Sequence, residues 1–193
     1  MKKLAMVAAV ILLISTLVFA HEGAISLYLD ETIGDCDESI GAFGIVDINL
    51  YYVKDQGLEL GRSYEFRLVA TNGTAIYNQP VWPPTFQASI GDLVNGISVA
   101  HSVCIGSGET VTWLGTIPVF NVGADTDTFQ VRVVDNPNSK PGPGDPIPGI
   151  YITLCDENQT MVQVIGGTFI FNGECNPAVE TKSWGAIKSL IKR

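Results

Sequence analysis

The chain has 193 residues, 46% of them hydrophobic, with 20 acidic residues against 11 lysines and arginines and a formal net charge of −9 at pH 7. That length suits one domain with a sizeable core. The acidic balance excludes the basic patches that nucleic-acid binding needs to neutralise phosphates.

Met1-Lys2-Lys3 is a short basic start, and the run from Leu4 to Phe19 is apolar apart from Ser15 and Thr16. A small residue, Ala20, follows. This is the layout of a secretory signal peptide over residues 1–20. The run is short for a bilayer span of roughly 20 residues, so the mature chain, residues 21–193, is expected to have no transmembrane span. Loss of Lys2 and Lys3 leaves 9 basic residues against 20 acids, 9 − 20 = −11. The expected location is extracellular, cell-surface or periplasmic.

The mature chain reads as a succession of short strands. Residues 24–29 form the first, followed by an acidic loop holding Asp30, Glu31, Asp35, Asp37 and Glu38. In 45–53, Val46, Ile48, Leu50 and Tyr52 share one face; in the next run Tyr64, Phe66, Leu68 and Ala70 do the same. Asn72-Gly73 signals a tight turn. A strand end over 76–82 is stopped by Pro83-Pro84. The central run, 97–104, alternates strictly, with Ile97, Val99, His101 and Val103 on the inner face. Strands over 109–120 and 128–134 follow, the second with Phe129, Val131 and Val133 inward. Residues 135–149 carry five of the ten prolines, a density that forbids ladder pairing and predicts an extended loop. Residues 150–154, 161–165 and 168–171 close the strand series.

The pattern predicts an all-β chain: an antiparallel β-sandwich, immunoglobulin-like or jelly-roll-like, over residues 21–175. A linker over 176–182 and a short C-terminal amphipathic helix over 183–193 follow. Ser183 is a good N-cap. Trp184, Ile187, Leu190 and Ile191 fall on one stripe of that helix, with Lys188, Lys192 and Arg193 beside it. Four cysteines remain in the mature chain: Cys36, Cys104, Cys155 and Cys175. An even count in an exported chain predicts two disulfides. The preferred pairing is Cys36–Cys104 and Cys155–Cys175, because the second pair brackets what reads as one strand meander.

Ile25-Ser26-Leu27-Tyr28 before Cys36, Ile90-Gly91-Asp92, Gly96-Ile97-Ser98-Val99-Ala100 before Cys104, and the closing Ser183-Trp184-Gly185-Ala186-Ile187-Lys188-Ser189-Leu190 resemble a group of uncharacterised secreted bacterial β-proteins. The resemblance implies export and a β-architecture, and no active site.

Candidate sites are few. Cleavage after Ala20 would make His21 the mature N-terminus. Its amine and imidazole, with His101, would give the three nitrogens of a copper brace. The competing reading packs His101 among Val99 and Val103. The acidic loop offers oxygen ligands for calcium without EF-hand spacing; a solvated surface is the competing reading, and the leading expectation is no cofactor. Tyr77 and Trp82, among Pro80, Pro83 and Pro84, would form a carbohydrate platform if exposed. Neither a Gly-x-Ser-x-Gly elbow nor a free thiol supports nucleophilic catalysis. The expectation is therefore a non-enzymatic structural or interaction protein. Its tail, through Trp184, Ile187, Lys188, Leu190, Ile191 and Lys192, would be read by surface-attachment or export machinery; the competing reading docks the stripe on the domain's own sandwich.

Overall fold

The computed structural model describes residues 23–30, 33–54, 61–106, 110–123, 128–141, 144 and 146–175. The expected signal peptide, His21, the 176–182 linker and the 183–193 helix lie outside these. Among the described residues every regular element is a strand. They are β1 (Gly23–Tyr28), β2 (Asp37–Glu38), β3 (Ile45–Lys54), β4 (Gly61–Thr71), β5 (Ala75–Tyr77), β6 (Phe86–Asp92) and β7 (Gly96–His101). After them come β8 (Val111–Asn121), β9 (Phe129–Val134), β10 (Tyr151–Leu154), β11 (Met161–Gln163), β12 (Ile165–Gly166) and β13 (Thr168–Phe171). No helix among the described residues is long and apolar enough to cross a membrane.

The strands form a two-layer sandwich. The first sheet runs β12-β1-β3-β8-β5. The second runs β11-β10-β4-β9-β13-β2, and its β4 also pairs with β7, which pairs with β6. Period-two alternation decides which side chains fill the space between layers. Ile48, Leu50 and Tyr52 of β3 face Tyr64, Phe66 and Leu68 of β4 and Phe129, Val131 and Val133 of β9 in one buried cluster. β8 departs from simple alternation. Tyr51 pairs with Trp113 while Leu50 pairs with Gly115, so Leu114 is the extra residue of a bulge. The bulge turns both Leu114 and Ile117 inward, three residues apart, and leaves Trp113 on the outer face.

Three expectations are corrected and one is met. The sandwich is not purely antiparallel, since β1–β12 and β2–β13 pair in parallel at sheet edges. The central strand stops at His101, and Val103 is exposed; the last bond along its pairing with β6 is the Ser102 N–H donating to the Thr85 carbonyl. Asn72-Gly73 does turn the chain, with Asn72 at φ 61°. It carries the chain from β4 in the second sheet to β5 in the first, where β5 pairs with β8.

The third correction concerns the cysteines. All four are bonded, as Cys36–Cys175 (Cα–Cα 5.8 Å) and Cys104–Cys155 (Cα–Cα 6.0 Å), not as Cys36–Cys104 and Cys155–Cys175. The last strands are not one meander: β11 pairs with β10, but β12 crosses to β1 and β13 joins β9 and β2. Cys155, after β10, therefore lies beside Cys104, after β7, since β10 and β7 both flank β4. Cys175, after β13, reaches Cys36, which immediately precedes β13's partner β2.

The proline-rich segment forms a loop as expected, closed at its base by reciprocal backbone hydrogen bonds between Asn136 and Gly149. Asn136 is buried against the start of β7. A Cβ at Gly96 (φ 121°) would come within 2.2 Å of Asn136 Oδ1, so the position requires glycine both for its conformation and for its space.

Candidate functional site

β7 places His101 at the inner surface of the second sheet, with 2% of its surface exposed. Its ring lies 5.4 Å from that of Tyr64, whose hydroxyl donates to the Leu114 carbonyl at 2.7 Å. Nδ1 shares a 3.0 Å hydrogen bond with Thr85 Oγ1. Nε2 is buried without a partner among the described residues. This is the packed histidine that Val99 foreshadowed. A brace would need a ring nitrogen reaching a metal, and the described surroundings of this ring are Tyr64, Thr85 and the core.

Burial holds the His101 pKa below its usual value, against a smaller opposing effect of hydrogen bonding to the Thr85 backbone. The consequence for stability has a definite sign. In the unfolded chain the imidazole takes a proton near pH 6.5, whereas in the folded chain it resists until a lower pH. Stability is therefore fully present above about pH 6.5 and falls as pH drops from there toward the folded value, by at most about 1.4 kcal/mol per pH unit. Urea midpoints measured from pH 7.5 to 5 are expected to fall for the native chain and to stay flatter for His101→Gln. Equal slopes would show that His101 is not the group responsible. Asp92 and Asp156, whose carboxylates are held low chiefly by hydrogen bonds from Asn95 and Thr160, act only in the lower carboxylate range, so the two windows separate.

Trp82 packs inward. Its ring stacks on Phe86 at 5.9 Å with an interplanar angle of 15° and lies 6.3 Å from Tyr64. A Cβ at Gly115 would meet it at 2.7 Å, so the indole lies against bare β8 backbone. Tyr77 is half-buried and burial pushes its pKa up to about 12. The two rings plug the sandwich instead of presenting a sugar-stacking platform.

Among the described residues, no three carboxylates of the acidic loop gather. Among the described residues the one grouping of three potential ligands is Cys36, Asp37 and Cys175, and both sulfurs are committed to the disulfide. Asp37 and Glu38 are held in β2 against β13.

What the structure does assemble is a four- to five-strand surface on the outside of the second sheet. One cross-strand row runs Ile90, Ser98, Glu65, Tyr151 and Gln163; the next runs Ala88, Ala100, Ser63, Thr153 and Met161. Ser63 donates to Thr153 Oγ1 at 2.7 Å. Ser98, Ala100, Ser63 and Thr153 are the small side chains in the middle of this face, with Glu65 and Tyr151 beside them. Ile90, on the edge strand β6, stands 79% exposed above it. The sequence reading passed over β6. Its available signal was Asn95-Gly96, an Asn-Gly pair of the kind that joins hairpin strands, directly before the central strand.

No protein-family model matches the chain, and no curated protein matches it. Among solved structures it is similar to the cohesin module of a family 33 glycoside hydrolase from Clostridium perfringens. The TM-score is 0.55 at 10% identity, over 80% of this chain and 100% of that one. It is also similar to a chain of a type I cohesin–dockerin complex from Clostridium thermocellum (TM-score 0.49, 10% identity, 80% and 96% covered). A type III cohesin module from a cell-surface anchoring scaffoldin of Ruminococcus flavefaciens is a third (0.47, 10%, 81% and 90%). These are likenesses of fold.

Proposed function

We propose that this chain is an exported, non-enzymatic β-sandwich that works by binding another protein, with residues 183–193 serving as a recognition or attachment segment. The observation that carries the binding role is the outer face of β6, β7, β4 and β10. It sets Ser98, Ala100, Ser63 and Thr153 beside the larger Glu65 and Tyr151, and carries one large exposed apolar side chain, Ile90, paired with Ser98 on the edge strand. A face with a single large apolar projection suits a protein partner with a matching pocket, since interface energy concentrates in a few well-packed anchors. The fold likeness to a cohesin module supports the reading, because that architecture is one in which a module within a larger protein need not itself carry catalysis. The two disulfides fit an oxidising, extracytoplasmic compartment. The tail is supported by its sequence, an apolar stripe flanked by cations on an otherwise acidic chain.

The test is Ile90→Glu. Ile90 is exposed, so the variant should fold with an unchanged melting midpoint. The native protein, immobilised, is expected to retain a protein from the host's extracellular fraction that the variant loses by tenfold or more, the scale of a side chain contributing above about 1.4 kcal/mol. Retention of the same proteins at the same strength by both would overturn the assignment of this face.

A further inference from the structure

The outer face of the first sheet is uneven. At one end Tyr28 and Tyr51 lie together, rings 6.3 Å apart, covered by the Cys36–Cys175 disulfide with Trp113 packed alongside. At the other end Ile45 of β3, Phe120 of β8 and Ile76 of β5 are directly paired across the strands. Ile45 is 59% exposed and Ile76 50%. Phe43 adds to them: its ring, 62% exposed, lies 6.5 Å from that of Phe120. Phe43 sits at φ 58°, a left-handed conformation that a bulky residue rarely adopts and that costs on the order of 1 kcal/mol. A strained backbone that holds a phenylalanine over an already exposed apolar row marks this patch as built. Between the two ends stands exposed Asp47, paired with Pro118.

The chain leaves the described structure on this face. Cys175 packs against the Tyr28–Tyr51 cluster. The distance from Trp113 along β8 to Phe120 is roughly 23 Å at the strand rise. Residues 176–183, eight residues, span up to about 26 Å extended. What they deliver is the stripe of Trp184, Ile187, Leu190 and Ile191, with Lys188, Lys192 and Arg193 at its side. A segment of about 11 residues is marginal as a helix alone in water and needs its stripe covered. Reach, apolar character and charge sign all match one seat.

We infer that residues 183–193 rest on the outer face of the first sheet of their own chain, the apolar stripe over Ile45, Ile76, Phe43 and Phe120 and the lysines toward Asp47. This goes beyond the recognition reading: it concerns where the segment sits when nothing reads it. Recognition of the segment then requires its release from the patch, and the two states compete.

The experiment uses the full chain labelled at isoleucine δ1 methyls. An indole seated on the patch moves nearby methyl resonances by its ring current. Trp184→Ala is expected to shift the Ile45 and Ile76 signals and leave Ile90, on the opposite sheet, in place. Asp47→Lys, and Lys188→Glu with Lys192→Glu, are expected to move Ile45 and Ile76 toward the Trp184→Ala positions. Unmoved Ile45 and Ile76 signals in Trp184→Ala would overturn the inference. So would a Trp184-dependent shift that fades on dilution, since the occupant would then be a second copy's segment, or one that arises only with anionic vesicles present. None of these outcomes touches the Ile90 face, so the inference and the proposed function fail separately.

Discussion

A chain carrying Cys36→Ser together with Cys175→Ser is expected to lose about 3–5 kcal/mol of stability, most of the 5–15 kcal/mol that a domain has to lose. The bond joins positions 139 residues apart. Cross-linking so distant a pair removes much of the unfolded chain's freedom, about 5 kcal/mol in the loop-entropy account. It also fastens the weakest part of the second sheet. β2 is two residues long and is attached to β13 alone. Its hold beyond the ladder is Asn172, whose N–H donates to the Glu38 carbonyl at 2.9 Å and whose Oδ1 accepts the Ile40 N–H at 2.8 Å. Without the disulfide, β2 and the Tyr28–Tyr51 cluster beneath it lose their cover. Denaturant unfolding, native against double variant, measures the effect. A loss below about 1 kcal/mol would show the bond to be incidental to the fold, at the low end of what disulfides contribute. The shorter link, Cys104–Cys155, joins positions 51 residues apart and should contribute less by the same logarithmic dependence.

Phe171→Ala should cost about 3–5 kcal/mol, the range for truncating a fully buried phenylalanine. The ring has no exposed surface. It stacks on Phe129 at 4.6 Å and meets Phe169 at 4.9 Å, close to the spacing at which aromatic pairs add to area burial. Three phenylalanines on two adjacent strands leave no flexible side chain to collapse into the space. The cost therefore belongs at the upper part of the range. Phe171→Leu, which refills most of the volume, should recover more than half of it. Melting or urea unfolding of the two variants decides the matter; if alanine cost no more than leucine, the ring would not be packed as described.

Period two made the layers readable. Ile48, Leu50 and Tyr52, then Tyr64, Phe66 and Leu68, then Phe129, Val131 and Val133 could be assigned to the core because each run keeps one face apolar. His101's burial was legible for the same reason. What alternation could not show was anything set by long-range pairing. β6 has six of its seven residues exposed and exists as a strand because β7 pairs with it. The cysteine partners depended on β12 leaving its neighbours for β1, and Gly166-Gly167 announces a turn without saying which sheet the chain turns toward. The bulge at Leu114 hid the inner face of β8. Ile45 was legible in principle: it stands out of phase with Ile48, Leu50 and Tyr52 and so had to point outward. The tail's stripe was visible in the sequence, but a seat for it required knowing that Ile45, Phe120 and Ile76 meet.

The Cys36–Cys175 bond also decides how the protein bears a pull. Suppose the chain is held at residues beyond 175 and tugged from the other side of Cys36, as a surface-attached protein would be. The tension then passes through one covalent bond and bypasses the stretch between two cysteines 139 positions apart. β2 to β13 lie off the covalent line of force, and the core at Phe66, Phe169 and Phe171 is not pulled apart through the backbone. Only β1 stands in the line of force. It is held on both edges, by β3 and, in parallel, by β12. Under load the molecule therefore behaves as a short strand on a covalent hinge, with a sandwich that hangs from the hinge unstretched.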